Sequence, residues 1–122
     1  MIQDELSEQI IGCAYKIYNT LGFGFLEKIY ENAMAIEFEK LNLKFKQQHS
    51  IKVYYDEKII GDYIADFFVE NKMIIELKST ANLIKKHEVQ LVNYLNATKQ
   101  PVGLLINFGP EGVEIKRKYK DY

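Results

Sequence analysis

Three side chains near the middle of the chain have the types and spacing that phosphate-ester chemistry needs: Asp66, Glu76 and Lys78. Asp66 belongs to the run Ile59 to Val69 and the other two to the run Met73 to Lys78. The polar break Glu70-Asn71-Lys72 between them suits a hairpin loop. With the loop centred on Asn71, residues equidistant from it are opposed, and Asp66 faces Glu76. Opposed residues of an antiparallel pair have Cβ atoms ~5 Å apart, a distance at which like charges destabilise, so two carboxylates held there need a cation. The two-residue period places Lys78 on the face of Glu76, along with Ile64, Phe68 and Ile74, which surrounds the charges with apolar neighbours. Paired carboxylates are hard ligands suited to Mg²⁺ or Mn²⁺, which complete their shells with water and phosphate oxygens. A lysine beside them can orient or deprotonate the attacking water, or stabilise charge on the transferring phosphoryl group. Phosphodiester hydrolysis fits these parts. A solvated surface hairpin with an ordinary ion pair is the competing reading, and the apolar neighbours speak against it.

The rest of the chain must position this hairpin. Leu6, Ile10, Cys13, Ala14, Ile17 and Leu21 share one helical face, predicting a helix over 4–20 that stops before Gly22 and Gly24. Leu26, Ile29, Tyr30, Ala33, Met34 and Ile36 predict a second helix running to about Leu41. Strict alternation then puts Leu43, Phe45, Gln47, His49, Ile51, Val53 and Tyr55 on one side of a half-exposed strand. The two hairpin runs make it a three-stranded meander. Ile84, His87, Leu91 and Leu95 predict a third helix over 82–98, closed by Pro101. The apolar run 102–108 reads as a buried strand, Gly109 to Gly112 as a turn and 113–119 as a last strand. The order is ααβββαββ, an α/β fold, and 122 residues suit one ordinary domain.

Other candidates lie around this centre. Glu27 and Tyr30 share a face of the second helix, where the tyrosine hydroxyl could hold Glu27 or a scissile phosphate, or be core. Glu31, one turn from Glu27, and Asp62, on the strand of Asp66, could extend the acidic site, with solvated acids the expected reading. His49 is expected to be packed and His87 to lie at the surface, or to point towards the site from one turn before Gln90. Neither histidine has zinc spacing, and the lone Cys13 reads as a small core residue. The run Lys116-Arg117-Lys118 with Tyr119, Lys120 and Tyr122, and the pair Lys85-Lys86, could meet a phosphate backbone or be solvated.

Composition narrows the classes. With 48% hydrophobic and 27% charged residues the chain reads as folded rather than disordered, and no apolar run approaches the roughly 20 residues that span a bilayer. Early acids in place of a secretory signal, and a single cysteine, lead to the expectation of a cytoplasmic protein with no membrane partner. The net charge is −1 and Arg117 is the only arginine, so recognition of nucleic acid would rest on backbone or shape rather than on base reading.

The run Asp66-Phe67-Phe68-Val69, followed by Ile74-Ile75-Glu76-Leu77-Lys78, resembles the D…ExK signature of the PD-(D/E)xK nuclease superfamily. Gly24-Phe25-Leu26-Glu27-Lys28-Ile29-Tyr30 looks like the motif from which the GxxExxY family takes its name, and Gln90 and Tyr94 match the QxxxY element of RecB-like nucleases. Ala65 stands where the superfamily name has proline. The resemblance implies a restriction-endonuclease-like fold, a central mixed sheet of about five strands flanked by helices. It also implies a metal-dependent nuclease acting on nucleic acid, with DNA the expected substrate. Asp66, Glu76, the Leu77 carbonyl and Glu27 would hold Mg²⁺ or Mn²⁺, Lys78 would be catalytic, and Gln90, Tyr94 and Tyr30 would position substrate. The alternative is a nucleic-acid- or protein-binding module that keeps the fold without cutting. Because specific protein–DNA interfaces commonly bury ~1,000–2,500 Å² of protein surface, so small a domain also suggests a homodimer.

Overall fold

A computed structural model describes residues 3–120. Helices α1 (Gln3–Leu21) and α2 (Glu27–Lys40) precede strands β1 (Phe45–Tyr55), β2 (Lys58–Val69) and β3 (Met73–Lys78). Helix α3 (Lys85–Thr98) then leads to β4 (Val102–Gly109) and β5 (Gly112–Tyr119). The strands form one mixed sheet in chain order, antiparallel except for β3 and β4, which run parallel across the α3 crossover. The fold is α/β with a five-stranded mixed sheet flanked by helices, as expected.

Two apolar layers sandwich the sheet. On one face Leu6, Ile10, Ala14 and Ile17 of α1 and Tyr30, Met34 and Phe38 of α2 pack on Phe67, Val69, Ile75, Leu77, Ile106 and Phe108. On the other, Leu91, Tyr94 and Leu95 of α3 cover Ile51, Ala65, Ile74 and Leu105. All eight residues of β4 are buried, which is why its sequence reads as an unbroken apolar run. Gly103 lets α3 sit close to that strand: a Cβ there would lie 2.9 Å from the Ile74 carbonyl oxygen and 3.0 Å from Leu91 Cδ1.

The helical face expected for α1 is the one buried, whereas that of α2 is rotated. Leu26 and Ile36 are exposed, and the buried stripe is Tyr30, Met34 and Phe38 with Glu31 and Ala35 beside it. Exposure alternates along β1 as expected from Phe45 to Tyr54, but the less exposed side changes sheet face at Gln48. Gln48 adopts a left-handed conformation (φ 55°), and neither it nor the facing Asp66 belongs to the β1–β2 ladder, although Gln47↔Phe67 and His49↔Ala65 on either side do. The switch sends Phe67 into one apolar layer and Ala65 into the other. Ile64, expected beside Asp66, is 52% exposed. α3 begins three residues later than its periodicity suggests. Ile84 caps it, donating its N–H to His87 Nδ1 at 3.3 Å while the His87 N–H returns to the Ile84 carbonyl at 3.0 Å.

Candidate active site

The hairpin register is the one a loop centred on Asn71 requires: Val69↔Met73, Phe68↔Ile74 and Phe67↔Ile75. The backbone ladder ends there. At the next pair side chains replace main chain: the Asp66 N–H donates to Glu76 Oε1 at 2.8 Å and the Leu77 N–H donates to Asp66 Oδ2 at 2.7 Å. Each carboxylate thus satisfies a backbone donor that the parting strands would leave bare, with one oxygen engaged and one remaining. Among the described residues Asp66 Oδ1 receives only a long bond from Gln48 Nε2, at 3.4 Å.

The two acids are close enough in a dry enough place to disturb each other. Burial raises Asp66 to about 6, reinforced by the charges of Glu31 and Glu27 and resisted by the Leu77 N–H and by Lys78. Burial and then the neighbouring Asp66 push Glu76 up to about 8, against the pull of the Asp66 N–H and Lys78. Lys78 is partly exposed, and its ammonium makes no ion pair or hydrogen bond among the described residues. It therefore acts on the pair through space, not as one partner of a salt bridge.

Helices supply the walls. Glu27, exposed at the first position of α2, contributes its charge to Asp66, Glu76 and His87. Its loop is tightly held: Gly24 has φ 116°, open to glycine but costly for other residues, and the Phe25 carbonyl accepts from Ser79 Oγ at 2.7 Å, one residue beyond Lys78. Tyr30, expected to position substrate, is instead core. It is fully buried and stacked on Phe108 at 4.2 Å, its hydroxyl donating to the Gly22 carbonyl and accepting from the Phe25 N–H at 3.4 Å. Its hydroxyl is committed to the loop that carries Glu27. On α3, Gln90 Nε2 donates to the Tyr94 hydroxyl, which burial and the charges of Glu76 and Asp66 make a weaker acid than an ordinary phenol.

Of three further participants, Gln48 and Asn107 were not legible in the spacing, and Glu31 is more deeply held than its spacing suggests. Glu31, expected to be solvated, is 4% exposed and accepts from Lys28 Nζ at 2.8 Å, from Gln48 Nε2 at 2.7 Å and from Gln47 Nε2. Gln48 joins Glu31 to Asp66 and holds the left-handed turn of β1 against the site. Asn107, paired with Lys78 across the parallel ladder, is fully buried. It binds the Thr80 N–H at 3.0 Å, the Thr80 carbonyl at 2.9 Å and Glu114 at 2.8 Å, fixing the exit of β3. The one available signal was that Glu31 directly follows Tyr30 and precedes Met34 by three, on the stripe that had to be buried.

Several expectations fall outside the centre. Asp62 pairs with Lys52 at 2.7 Å and accepts from Ser50. His49 stacks on Phe68 at 5.0 Å, and His87 caps α3. Cys13 is buried, its thiol pushed up to about 11 by that burial. Arg117 and Lys118 pair with Asp4 and Glu88, and Tyr122 of the same run lies outside the described residues. No helix among those residues is long and apolar enough to cross a membrane.

A divalent cation suits this donor set. Two carboxylates each keep an oxygen free of the backbone, and no group of three His, Cys, Asp or Glu side chains is poised around a metal among the described residues. Two carboxylates with water and phosphate oxygens are the complement magnesium commonly takes, in contrast to the all-protein cages of calcium.

Comparison with known proteins bears on the fold and the family. No curated protein matches the chain. The crystal structure of SSO0001 has the same fold, with a TM-score of 0.61 at 18% identity, covering 98% of this chain and 60% of that one. The chain thus spans about 60% of the length of that relative. The profile described as PD-(D/E)XK nuclease superfamily matches residues 4–118, and the chain belongs to that superfamily.

Proposed function

We propose that the chain is a divalent-metal-dependent nuclease that hydrolyses phosphodiester bonds, with DNA as its substrate, and that the pattern Gly24, Glu27, Tyr30 places it in the GxxExxY group. The observation that carries this reading is the pair Asp66 and Glu76, each with one oxygen on a backbone N–H and both reluctant to ionise, beside a Lys78 with no ion-pair partner among the described residues. A binding module has no use for two buried acids in repulsion; a cation site does. Asp66, Glu76 and the Leu77 carbonyl would hold Mg²⁺ or Mn²⁺, with Glu27 at the rim. A bound ion would supply Lewis-acid polarisation of the phosphoryl oxygen and a more acidic water.

The chain's own groups do the rest. Lys78 Nζ is free to approach a phosphate oxygen and stabilise the charge that builds there, or to take a proton from the attacking water. Gln90 orients the Tyr94 hydroxyl, which stays protonated and so remains a hydrogen-bond donor beside the acids. Ser79, Tyr30 and Asn107 fix the loops that deliver Glu27 and Lys78.

The test is cleavage of labelled single-stranded, double-stranded and branched DNA and of RNA, with Mg²⁺, Mn²⁺ or EDTA, beside Lys78→Ala. We expect cutting that EDTA abolishes and that falls by ~10²-fold or more in the variant, whose circular dichroism matches the parent. Cleavage that survives Lys78→Ala or EDTA would refute the assignment.

A further inference from the structure

The β1–β2 hairpin is much longer than its junction with β3. It runs from Phe45 and Val69 out to Tyr55 and Lys58, whereas β3 pairs only with Phe67, Phe68 and Val69. Between the overhanging part and the second half of α3 lies a groove of about 610 Å³ whose lining includes Lys52, Tyr54, Tyr63, Asn93 and Lys99. Its volume is in the range that small organic ligands fill. It adjoins the candidate active site, since the Tyr63 ring lies 5.2 Å from that of Tyr94, the residue held by Gln90.

The chemistry of the groove is specific. Tyr54 and Tyr63 are large aromatics left 61% and 41% exposed. None of the described lining residues is itself acidic, although the Asp62 carboxylate stands 2.7 Å from the Lys52 ammonium. Lys52 is held on the hairpin by Asp62, and Lys99, in a left-handed conformation (φ 60°) at the end of α3, has an ammonium that makes no hydrogen bond or ion pair among the described residues. Exposed tyrosine rings beside the Lys99 ammonium match an unpaired nucleotide, because every base offers a face to stack and every phosphate a charge for lysine. A paired base keeps its faces inside the helical stack. With one arginine and a net charge of −1, the chain also has little with which to hold a duplex by charge alone.

We propose that this groove binds an unpaired stretch of nucleic acid flanking the scissile phosphate, its bases on Tyr63 and Tyr54 and its backbone beside Lys99. The substrate class is then a single strand, or a duplex with a single-stranded tail. The placement of the scissile phosphate rests on the nuclease reading above.

The experiment is fluorescence anisotropy of labelled oligo-dT and of a blunt duplex of equal length, in EDTA at low salt. The full chain is compared with Tyr54→Ala and Lys99→Ala, whose side chains are exposed and outside the core. Oligo-dT is expected to bind more tightly than the duplex, with ~10-fold weaker binding by Tyr54→Ala and a salt slope shallower by ~0.7 in Lys99→Ala. Equal affinity for duplex and single strand, or unchanged affinity in both variants, overturns the proposal. So does a shift from dimer to monomer in sedimentation of Tyr54→Ala with oligonucleotide binding intact, since a second copy would then be the occupant. Binding that tracks the groove variants without cleavage under Mg²⁺ or Mn²⁺ supports the groove and refutes the nuclease reading. EDTA-sensitive cleavage indifferent to both groove variants does the opposite.

Discussion

Replacing Glu76 by glutamine should make the metal-free protein more stable at pH 8 and abolish its affinity for metal. The amide keeps an oxygen for the Asp66 N–H and removes the charge that burial and Asp66 oppose. At ~1.4 kcal/mol per tenfold change in proton affinity, the rise of Glu76 from 4.5 to about 8 amounts to on the order of 5 kcal/mol. Part of that belongs to Asp66, which carries its own rise from 3.8 to about 6, so one neutralised charge is worth about half, ~2–3 kcal/mol. For a domain of this size that is a melting temperature higher by ~10 °C.

The pH dependence has a definite sign. Both carboxyls hold their protons more tightly in the folded chain than in the unfolded one. Their contribution to stability is therefore full at low pH and is lost as pH rises through about 6 for Asp66 and about 8 for Glu76. Thermal unfolding followed by circular dichroism, in EDTA, should show parent and Glu76→Gln converging near pH 5 and separating by pH 8. Mg²⁺ at ~100 times its Kd would return ~2.7 kcal/mol to the parent and nothing to the variant. A variant less stable than the parent at pH 8 in EDTA, or a gap that does not change with pH, would refute the reasoning, because the carboxylate would then be a net stabiliser of the hairpin.

Glu31→Gln exchanges one acceptor oxygen for an NH₂ that meets the donating amides of Gln47 or Gln48, and should cost ~2–3 kcal/mol in urea unfolding; an unchanged midpoint would mean those amides do not depend on the charge. Tyr30→Phe keeps the stack on Phe108 but releases the Gly22 carbonyl and the Phe25 N–H, for a loss of ~1–2 kcal/mol. The Phe25 amide should then exchange with solvent faster than in the parent, and equal protection would argue against the tyrosine as anchor of this loop. Gly103→Ala drives a methyl towards the Ile74 carbonyl and Leu91, and should destabilise by ~1–3 kcal/mol while lowering the protection of α3 amides; full stability would mean that α3 rides higher over β4.

What the sequence disclosed, and what it withheld, follows from the range of the interactions involved. Element order and the Asn71-centred register were legible because periodicity and loop length are local. Asp66, Glu76 and Lys78 could be placed together on that basis alone. The face of α2 was misread because Leu26, Ile29 and Ile36 are apolar yet exposed, while a carboxylate, Glu31, takes a buried place that amides from another strand make tolerable. No local pattern announces such a partnership across the fold. The left-handed Gln48 was hidden for the same reason: its conformation is held by hydrogen bonds to Glu31 and Asp66, and alternation on either side of it looks unbroken. Tyr30 was placed in the right neighbourhood with the wrong duty, since spacing reports that it shares a face with Glu27 but not that its hydroxyl turns back to Gly22.

The acids at the centre serve the fold with one oxygen each, and in the proposed chemistry the other oxygen of each would hold the cation. Where β2 and β3 part, Asp66 Oδ2 and Glu76 Oε1 take over from main-chain acceptors, and this is what allows the strands to open a space without stranding their N–H groups. Alanine at either position therefore removes a charge and a backbone partner together, and a dead alanine variant would say nothing about which loss mattered. Asparagine at 66 and glutamine at 76 keep the acceptor for the backbone N–H, while removing the charge and turning the other oxygen into an NH₂. The amide pair thus separates the backbone contacts from the charged, leftover oxygens, and under the proposed reading those two oxygens would carry both the repulsion in the metal-free fold and the affinity for a cation.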